Sequence, residues 1–593
     1  MKIKTNYLFL LIIPLFILCW GFFNLYFFDT FYARAIDPEY PYLINGLNVA
    51  LLEFSRIGHF DHPGTPFQVY CGVIIRITHL FAGKDSIAQD VFNRPDFYLS
   101  AISFSLTLLQ SVLCFLIAWA GKKREIKIWP IIVLQSGVLL NVLMMWLFNR
   151  VIPDRWLVIV SILFVIIYVF YGYKDKHPLK FAIWSGIIMG LGLATKFNYL
   201  PVLLLPLFLL DSSRNRRIYI ISGMASFGFF LLPIIKKIHY YLGFLASIAT
   251  HDGIYGQGNE RMFNLDRMQE SFRQILYVAP ELMFVVVAIL TALFLAILFR
   301  KTKNSNRQIL FFAGMFFIVL VQLLMVSKHF KNIYLIPLFT IYPLFLFELD
   351  SFIQKIGNQK RWTLLPVILL FIVFTSFTTR QLVNDIAPIK KEMKQREAMR
   401  QFVDDKLPSN VFWFVEPTWE SAPFVENGIV YGLCYCHKHD QYLPELIRKN
   451  PNLITYNYSD EYVNLWRGYN IPIDSVVVTS TPVHIFSSPG RNAGVLMEIM
   501  EKAAQRHEIT LCVDTLFSHH ETGSYIFVMQ NRNSVQPWKT DELFSRESRI
   551  NAMMQSIYNT PEWLKNVEEK AKIKNIPLDS MVLLDAIWMI DNP

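Results

Sequence analysis

Two carboxylates stand close together near the start of the chain, in the sequence Asp37-Pro38-Glu39. A carboxylate beside hydrocarbon has its pKa raised by desolvation, and this suits it to accept a proton from a hydroxyl group. Asp37 and Glu39 are therefore both candidates for a general base. Asp before Pro is also a good N-cap at the start of a helix, so a purely structural role for Asp37 stays open.

A second titratable cluster lies in residues 58–66, which read GHFDHPGTP. Imidazole and carboxylate groups are ligands of divalent metal ions, so Asp61 could hold such an ion together with His62 or His59. The same side chains could instead only shape the wall of a site, with Tyr40 as a further wall residue. Two prolines restrict the backbone here, which favours a fixed site over a plain connector.

Basic residues that could bind an anion occur in three further short segments. Arg150 and Arg155 flank Asp154, which is a third candidate catalytic carboxylate. Lys196 interrupts a long apolar run, and charges within membrane segments are costly and usually functional. These cations could instead only snorkel to the membrane surface and anchor helix ends. The two other candidates for anion binding are Lys328 and Lys331.

The composition indicates that these residues belong to a membrane protein. The chain is 53% hydrophobic and 17% charged, whereas soluble domains carry about 25% charged residues. Apolar runs long enough to cross a hydrocarbon core of about 30 Å predict about eleven membrane spans. They are residues 7–28, 97–120, 130–148, 156–173, 181–195, 198–211, 218–235, 276–299, 308–327, 333–350 and 362–379. The first run is longer than the apolar core of a signal peptide, so we expect an uncleaved anchor.

Basic residues cluster in every second connector between these runs, and Lys2 and Lys4 precede the first run. Cytoplasmic loops carry an excess of Lys and Arg, so the N-terminus is predicted to be cytoplasmic. The other connectors then face outward, among them the loop 29–96, the segments with the candidate residues and the chain after about residue 380. We therefore expect an integral protein of the inner (plasma) membrane with an extracytoplasmic active site.

The long outer loop 29–96 contains two apolar patterns of its own. Apolar residues recur at helical spacing before and after residues 58–66, which predicts two helices lying in the membrane interface. The titratable cluster would then form the hinge between them.

The net charge of +10 does not indicate a nucleic-acid partner. Binding to nucleic acid needs basic residues gathered on one face, whereas here they are spread over successive cytoplasmic connectors. Nucleic acid is therefore excluded as an expected partner.

The chain changes character after residue 379, so we expect a membrane domain of residues 1–379 and an extracytoplasmic α/β domain of residues 380–593. A charged helical stretch up to residue 406 is followed by short β-rich runs and helical segments, which favour an α/β fold. The predicted strands are 411–416, 428–435, 453–457, 475–480, 509–517 and 524–530. The predicted helices are 492–506 and two amphipathic helices within 540–593.

The six cysteines carry little functional signal. Cys19, Cys71 and Cys114 lie in apolar segments and are expected to be packing residues. Cys434 and Cys436 stand near two histidines, but zinc pairs are usually spaced more widely. We expect them at the end of a strand, where one of them could pair with Cys512 in an oxidising compartment.

The order of these motifs resembles that of the GT-C glycosyltransferases. Those families carry an acidic pair after the first span, a Tyr-Phe-Asp-His-Pro-Pro-like segment and a helix ending in Leu-Phe-Gly. Here the matching parts are Asp37 with Glu39, GHFDHPGTP, and Leu-Phe-Ala-Gly at residues 80–83. Three later segments resemble further motifs of the superfamily: IPD at 152–154, GLATKFNYLPVLLLP at 192–206 and KNIYLIPLF at 331–339.

The resemblance covers roughly residues 1–350. Within the superfamily, the sequence resembles dolichyl-phosphate-mannose-dependent protein mannosyltransferases and aminoarabinose transferases. The sequence departs from the pattern in three places. Pro38 separates the acidic residues, His-Pro-Gly-Thr-Pro replaces His-Pro-Pro, and the arginine expected before Tyr334 is missing. Lys328 or Lys331 would have to supply that positive charge.

The resemblance implies an inverting glycosyltransferase that uses a polyprenyl-phosphate-linked sugar in the membrane lipid. The acceptor would be lipid A, a surface glycan or a protein. Asp37 or Glu39 would be the base, and the five cations would bind the donor phosphate. Some relatives hold a divalent metal ion near the acidic residues and others need no cofactor, so a metal at Asp61 and His62 stays an open expectation.

Two other classes of function remain as alternatives. One is a transporter or flippase of lipid-linked sugars, although no matching pair of interrupted helices is evident in the sequence. The other is a sensor or assembly protein whose active part is the C-terminal domain.

Overall fold

The structure, a computed structural model, forms two compact units. The first, here called the membrane unit, comprises Met1–Phe31, Asp37–Lys391 and Tyr435–His437. The second, the C-terminal unit, comprises Tyr32–Ile36, Glu392–Cys434 and Lys438–Pro593. The described residues are 5–28, 30–34, 36–59, 64–175, 177–253, 256, 258–261, 264–300, 305–328, 330–356, 365–406, 412–415, 424–436, 442, 446, 453–454, 462–465, 469–478, 483–487, 493–519, 524–531, 554, 557–558, 561–574 and 576–591.

The chain up to residue 406 folds into α-helices, as its long apolar runs predict. In chain order they are α1 Ile12–Phe27, α2 Phe31–Arg34, α3 Glu39–Ala50, α4 Thr65–Ala82, α5 Ile87–Asn93, α6 Pro95–Lys123, α7 Ile128–Gln135, α8 Val142–Trp146, α9 Pro153–Ile167, α10 Pro178–Thr195, α11 Leu205–Leu209, α12 Ser213–Leu231, α13 Ile238–Thr250, α14 Leu265–Val278, α15 Glu281–Leu298, α16 Ser305–Lys328, α17 Ile336–Thr340, α18 Tyr342–Ile356 and α19 Leu365–Lys406. The predicted domain boundary at residue 379 falls inside α19, which continues without a break.

Nine helical segments of the described chain are long and apolar enough to cross a membrane. They are Leu8–Phe27, Pro95–Lys123, Pro153–Gly172, Pro178–Thr195, Ser213–Thr250, Glu281–Leu298, Asn306–Lys328, Asn332–Ile356 and Leu365–Asp405. A bent pair, Ile128–Leu139 and Val142–Asn149, would make a tenth. The protein is therefore a polytopic helical membrane protein, as the sequence predicts.

Two of the eleven expected spans are not among these nine segments. The predicted span 130–148 is the bent pair, whose halves meet at 71°. Asn141 lies at the break with an extended backbone, and its side-chain Oδ1 accepts the Leu143 amide at 2.9 Å, which caps the second half. The predicted span 198–211 is the shorter apolar helix Phe197–Leu209. Its first part is a 3₁₀ helix with Pro201 inside it, because proline cannot donate an α-helical hydrogen bond.

Small residues allow α10 and α12 to pack closely. A Cβ atom on Gly190 would collide with the carbonyl oxygen of Gly223, and one on Gly186 would collide with α12 as well. The Ser226 hydroxyl donates to the Ile187 carbonyl at 2.7 Å across the same interface. Such close approach is typical of helix pairs in membranes, where small side chains let the backbones come together.

Several basic connectors meet at one end of the membrane unit, here called the basic end. Arg307, in the first turn of α16, donates from Nη2 to the Gly172 carbonyl beyond the end of α9 at 2.6 Å. Lys127, just before α7, donates to Gln354 near the end of α18 at 3.5 Å. Since α9 runs from Pro153 towards this end, residues 150–154 lie at the opposite end.

The long loop after the first span contains the two predicted helices, α3 and α4, and also the shorter helices α2 and α5. The turn into α4 passes through Gly64, whose φ of +54° lies in the left-handed region. A side chain at this position would also crowd Tyr42, so glycine fits the position for two reasons. The Gly64 amide donates to the Thr195 carbonyl at 3.1 Å. The loop is thereby held next to the end of α10.

The C-terminal unit contains a five-stranded mixed sheet in the order β2-β1-β5-β7-β6 and a separate antiparallel pair, β3-β4. The strands are β1 Phe412–Val415, β2 Leu453–Ile454, β3 Tyr462–Leu465, β4 Tyr469–Pro472, β5 Val483–Ser487, β6 Leu511–His519 and β7 Ser524–Asn531. The helices after residue 406 are Val425–Leu433, Ile473–Val478, Ala493–Arg506, Pro561–Lys574 and Leu578–Asp591.

The prediction of helices and strands in the C-terminal unit is confirmed in several places and wrong in two, and it missed the strands β3, β4 and β5. Residues 428–435 and 475–480 were expected to be strands because they are rich in β-branched and aromatic residues. They instead contribute to the helices Val425–Leu433 and Ile473–Val478. In the second helix Ile473, Val476 and Val477 have the spacing of one helical face and are buried in the core. Tertiary packing therefore overrides local strand propensity here.

Candidate functional site

The structure gathers four separate segments of the predicted site around Asp37. Its carboxyl group lies within electrostatic range of Glu39, Arg150, Lys196 and Lys331. These residues come from the start of α3, the turn before α9, the end of α10 and the turn before α17. Segments up to about 300 residues apart in the chain therefore supply two acidic and three basic groups to one place.

Glu39 is held tightly by Arg150. It is the first residue of α3 and is fully buried. The Arg150 Nη2 group donates to Glu39 Oε2 at 3.1 Å, and Arg150 Nε donates to Glu39 Oε1. The Val151 amide adds a longer contact of 3.4 Å to the same Oε1 atom. Since both carboxylate oxygens accept from Arg150, Glu39 serves as the partner that fixes this guanidinium group.

Asp37 differs from Glu39 in being accessible. Its side chain is exposed, and no hydrogen bond joins its carboxylate to any residue in the described part of the chain. Arg150 instead donates to its backbone carbonyl at 3.1 Å. The N-cap of α3 is Pro38, so the alternative that Asp37 caps this helix is wrong.

The surroundings of Asp37 change its acidity. Protein atoms nearby displace part of its hydration, and the negative charge of Glu39 acts in the same direction. Together they raise the pKa of Asp37 to about 6, against the opposing effects of Lys331, Arg150 and Lys196. A carboxylate with this pKa is a stronger proton acceptor than an ordinary aspartate and is still ionised near neutral pH.

Lys196 and Asp154 form a buried ion pair beside this group. Lys196 Nζ donates to the two carboxylate oxygens of Asp154 at 2.9 and 2.7 Å. Both side chains are almost completely buried, so Lys196 does not snorkel to a membrane surface. The ammonium group also lies 4.9 Å from the centre of the Tyr334 ring. The Asp154 carboxylate is thus the charged partner that a buried ammonium group requires.

Arg155 points away from Asp37 although it adjoins Asp154 in sequence. Its guanidinium group is buried and donates to Ser103 Oγ at 2.8 Å, to the Ser103 carbonyl at 3.0 Å and to the Arg150 carbonyl at 3.2 Å. These bonds join α9 to α6 and fix the turn that carries Arg150. In the structure Arg155 is therefore a support for Arg150 and lies outside the group around Asp37.

The structure distinguishes Lys331 from Lys328. Lys331 acts on the Asp37 carboxyl group, whereas Lys328 Nζ donates to the Ala249 carbonyl at the end of α13 at 2.7 Å. Of the two lysines that could replace the missing arginine, Lys331 is the one near Asp37.

The predicted wall residues His59 and Tyr40 are both buried. The His59 ring contacts the rings of Tyr42 and Tyr435 edge to face, each at 5.3 Å between centroids. Its carbonyl accepts from Gln68 Nε2 at 2.8 Å. The residues Asp61 and His62 lie outside the described part of the chain, together with their predicted role as metal ligands.

The described residues contain no group of three or more His, Cys, Asp or Glu side chains that could hold a metal ion. The six cysteines, all of them described residues, form no disulfide with one another, so the considered pairing with Cys512 is not formed. Cys434 follows the helix Val425–Leu433, and Cys436 pairs with Ile57 in an isolated antiparallel bridge. The nearby histidines at 437 and 439 lie outside the described residues.

Sequence reasoning missed two aromatic residues of this region. Tyr334 packs against Lys196, and Tyr435 packs against His59. Tyr334 stands in the motif at 331–339 and could have been considered. Tyr435 carries no local signal, because its contacts depend on chain pairing over almost 400 residues.

The arrangement can deprotonate a hydroxyl group at Asp37 and stabilise an anion beside it. The accessible carboxylate supplies the base, and Arg150, Lys196 and Lys331 supply positive charge within its electrostatic range. No protein-family model matches the chain, and it matches no curated protein and no solved structure.

Proposed function

We propose that the protein is a GT-C-like inverting glycosyltransferase that moves a sugar from a polyprenyl-phosphate donor to an acceptor hydroxyl. One observation carries this proposal. An accessible carboxylate with a raised pKa, Asp37, shares its surroundings with three cations that come from three different connectors. A base and a cationic site at the same place are what the transfer of a group from a lipid phosphate requires.

In the proposed reaction Asp37 takes the proton of the acceptor hydroxyl. The oxygen attacks the anomeric carbon of the donor, and the bond from that carbon to the phosphate oxygen breaks with its electron pair. The polyprenyl phosphate leaves as a stable anion, so no strong general acid is needed. Arg150, Lys196 and Lys331 stabilise the negative charge that develops on this phosphate.

In the proposed reaction, Glu39 and Asp154 have a different role from Asp37. Each is engaged through both carboxylate oxygens, Glu39 by Arg150 and Asp154 by Lys196. They therefore orient the cations, and the choice between Asp37 and Glu39 as the base falls on Asp37.

The proposed side of the membrane follows from the distribution of charge. The basic connectors meet at the basic end of the membrane unit, and residues 150–154 lie at the other. By the positive-inside rule, the basic end is cytoplasmic. The Asp37 group would then face the extracytoplasmic side of the inner (plasma) membrane, where the acceptor is a lipid, a surface glycan or a protein.

The experiment compares membranes that contain the wild type, Asp37→Asn or Glu39→Gln, each supplied with radiolabelled polyprenyl-phosphate sugars. Asp211→Asn is the matched control, because Asp211 is an exposed carboxylate in the connector before α12. We expect Asp37→Asn to lower transfer by about 10²- to 10⁴-fold and the control to retain it. Full transfer by folded Asp37→Asn would overturn the assignment of the base. Movement of the intact donor across purified-protein vesicles without product would favour the transporter.

A further inference from the structure

Side chains along α3 connect the Asp37 group to a distant part of the chain. Glu39, Tyr42 and Asn45 follow one another at intervals of three residues, so each side chain neighbours the next on the helix surface. Glu39 holds Arg150, and Tyr42 contacts the His59 ring. At 1.5 Å per residue, Asn45 lies about 9 Å further along the helix axis than Glu39.

Asn45 joins two segments that are far apart in sequence. Its Oδ1 atom accepts the Gly58 amide at 2.9 Å, and its Nδ2 group donates to the Tyr435 carbonyl at 2.9 Å. Nδ2 also donates to the Pro41 carbonyl of its own helix at 2.7 Å. Asn45 is completely buried, so the amide is held in one orientation by these three bonds.

Tyr435 and Cys436 form a short strap along the start of the GHFDHPGTP segment. Cys436 pairs with Ile57 in an antiparallel bridge. Gly58 fits beneath the strap only because it lacks a side chain, since a Cβ atom there would lie 2.8 Å from the Cys436 Cα atom. The strap and this part of the loop are therefore in direct backbone contact.

The strap also fixes the orientation of His59. The imidazole ring lies edge to face against Tyr42 at 86° and against Tyr435 at 83°. One ring comes from α3 and the other from the strap, so His59 is enclosed by both. Removal of either ring would let the imidazole turn.

The chain on both sides of the strap belongs to the C-terminal unit. Residues up to Cys434 and from Lys438 onward are part of that unit, whereas Tyr435–His437 belongs to the membrane unit. The contacts of the strap with α3, Ile57 and Gly58 therefore lie within the membrane unit.

We propose that Tyr435 and Cys436 act as a positioning strap that holds His59 and α3 in place for the proposed transfer reaction. Tyr435 acts through His59 and is a positioning residue. The kinetic consequence rests on the proposed function, whereas the contact between the strap and the loop can be tested without it.

The contact is tested by a disulfide between the strap and the loop. Residues paired in an antiparallel bridge have Cα atoms about 4.5–5.5 Å apart, which a disulfide can span. Oxidation of the full-length Ile57→Cys variant should therefore link it to native Cys436, as detected by mass spectrometry of the joined peptide. Ile57→Cys with Cys436→Ser is the control and should give no link. Absence of the link in folded Ile57→Cys protein would overturn the proposal.

Hydrogen exchange tests the same contact in chains that keep Ile57. The Gly58 amide should be protected in the wild type and should exchange faster in Asn45→Ala, because Asn45 is its acceptor. It should also exchange faster in Tyr435→Ala if the strap stabilises the loop. Equal exchange in wild type and Tyr435→Ala would contradict the positioning role.

The positioning role is then tested kinetically. Small displacements of catalytic groups lower rates by about 10- to 100-fold, so we expect Tyr435→Ala to lower kcat by about tenfold. Tyr435→Phe keeps the ring and should stay within about twofold of wild type. Gly58→Ala should resemble Tyr435→Ala, whereas Gly243→Ala, where an added Cβ atom meets open space among the described residues, should not change kcat. An equal loss in both Tyr435 variants would overturn a role of the ring.

The cross-linked enzyme tests whether the strap stays in place during turnover or must open. Oxidised Ile57→Cys should transfer within about twofold of its reduced form, because the strap stays in place during turnover. Loss of transfer that a reductant restores would overturn the fixed strap. If the wild type itself transfers no sugar from any donor, the proposed function fails, and the linked peptide still decides whether the strap is present.

Discussion

Two polar clusters of the membrane unit, one at each end, differ in whether they leave a reactive group accessible. At the basic end, Tyr168 donates to Glu348, and Arg307 donates to the Tyr168 hydroxyl at 3.2 Å and to the Gly172 carbonyl at 2.6 Å. Each of these groups bonds to a neighbouring helix, so the cluster ties α9, α16 and α18 together.

The cluster around Asp37 uses the same kinds of side chain in a different way. Glu39 with Arg150 and Asp154 with Lys196 are closed pairs. Asp37 remains exposed within electrostatic range of the cations. The difference between the two clusters is that the one around Asp37 combines closed ion pairs with an accessible titratable group.

The largest expected effect is that of Asp37→Asn, which removes only the accessible group. General base catalysis contributes about 10²- to 10⁴-fold to a rate, so transfer should fall by that factor. The thermal midpoint should hardly change, because no hydrogen bond within the described chain depends on this carboxylate. Radiolabelled transfer and a melting curve in detergent measure the two quantities. A fall in both transfer and the thermal midpoint would show that Asp37 has a structural role.

The second-largest effect is that of Lys196→Met, which tests whether the buried pair of Asp154 and Lys196 serves transfer or only stability. Lys196→Met leaves Asp154 buried without its partner, and breaking a buried ion pair costs about 3–5 kcal/mol of stability. The double change Asp154→Leu with Lys196→Met should restore most of that stability. Transfer should stay about 100-fold low in both variants, because the cation that stabilises the leaving phosphate is gone. Recovery of transfer in the double variant would show that the pair is only structural.

The pH dependence of transfer tests the electrostatic surroundings of Asp37. A base acts only when deprotonated, and the raised pKa of about 6 means that kcat/KM should fall about tenfold per pH unit below pH 6. Above that pH the rate should be level. The measurement is kcat/KM between pH 5 and 8 at constant ionic strength.

Two charge changes around Asp37 should move the acidic limb of the pH profile, which is the fall of kcat/KM below pH 6, in opposite directions. Lys331 lowers the pKa of Asp37 and Glu39 raises it. Lys331→Met should therefore shift the limb to higher pH, and Glu39→Gln should shift it to lower pH, whatever they do to the maximal rate. Limbs that stay in place would show that another group titrates.

The sequence was sufficient to predict most of the fold and the segments of the site. Membrane helices arise from long apolar runs, and a charged residue within such a run is evident from the sequence alone. Lys196 is such a residue. The strands at 428–435 and 475–480 were predicted wrongly because burial in the C-terminal unit selects helices there.

The pairings within the site could not be predicted from spacing. Asp154 and Arg155 are adjacent, but successive side chains on a helix point about 100° apart. Asp154 therefore accepts from Lys196, whereas Arg155 donates to Ser103 of α6. Asn45 bonds to Tyr435 across 390 positions, a contact that only the folded chain defines. Sequence motifs thus identified candidates, and tertiary packing assigned each one a partner.

The smallest expected effect on transfer is at the basic end. Glu348→Gln keeps the shape of the side chain but removes the charged carboxylate that accepts from the Tyr168 hydroxyl. Weakening hydrogen bonds to a buried charged group costs about 1–3 kcal/mol, so the thermal midpoint should fall. Transfer per folded molecule should remain within about twofold of wild type, since this cluster lies at the end away from Asp37. If Glu348→Gln lowered transfer as Asp37→Asn does, without changing the melting curve, the division into a structural and a reactive end would be wrong.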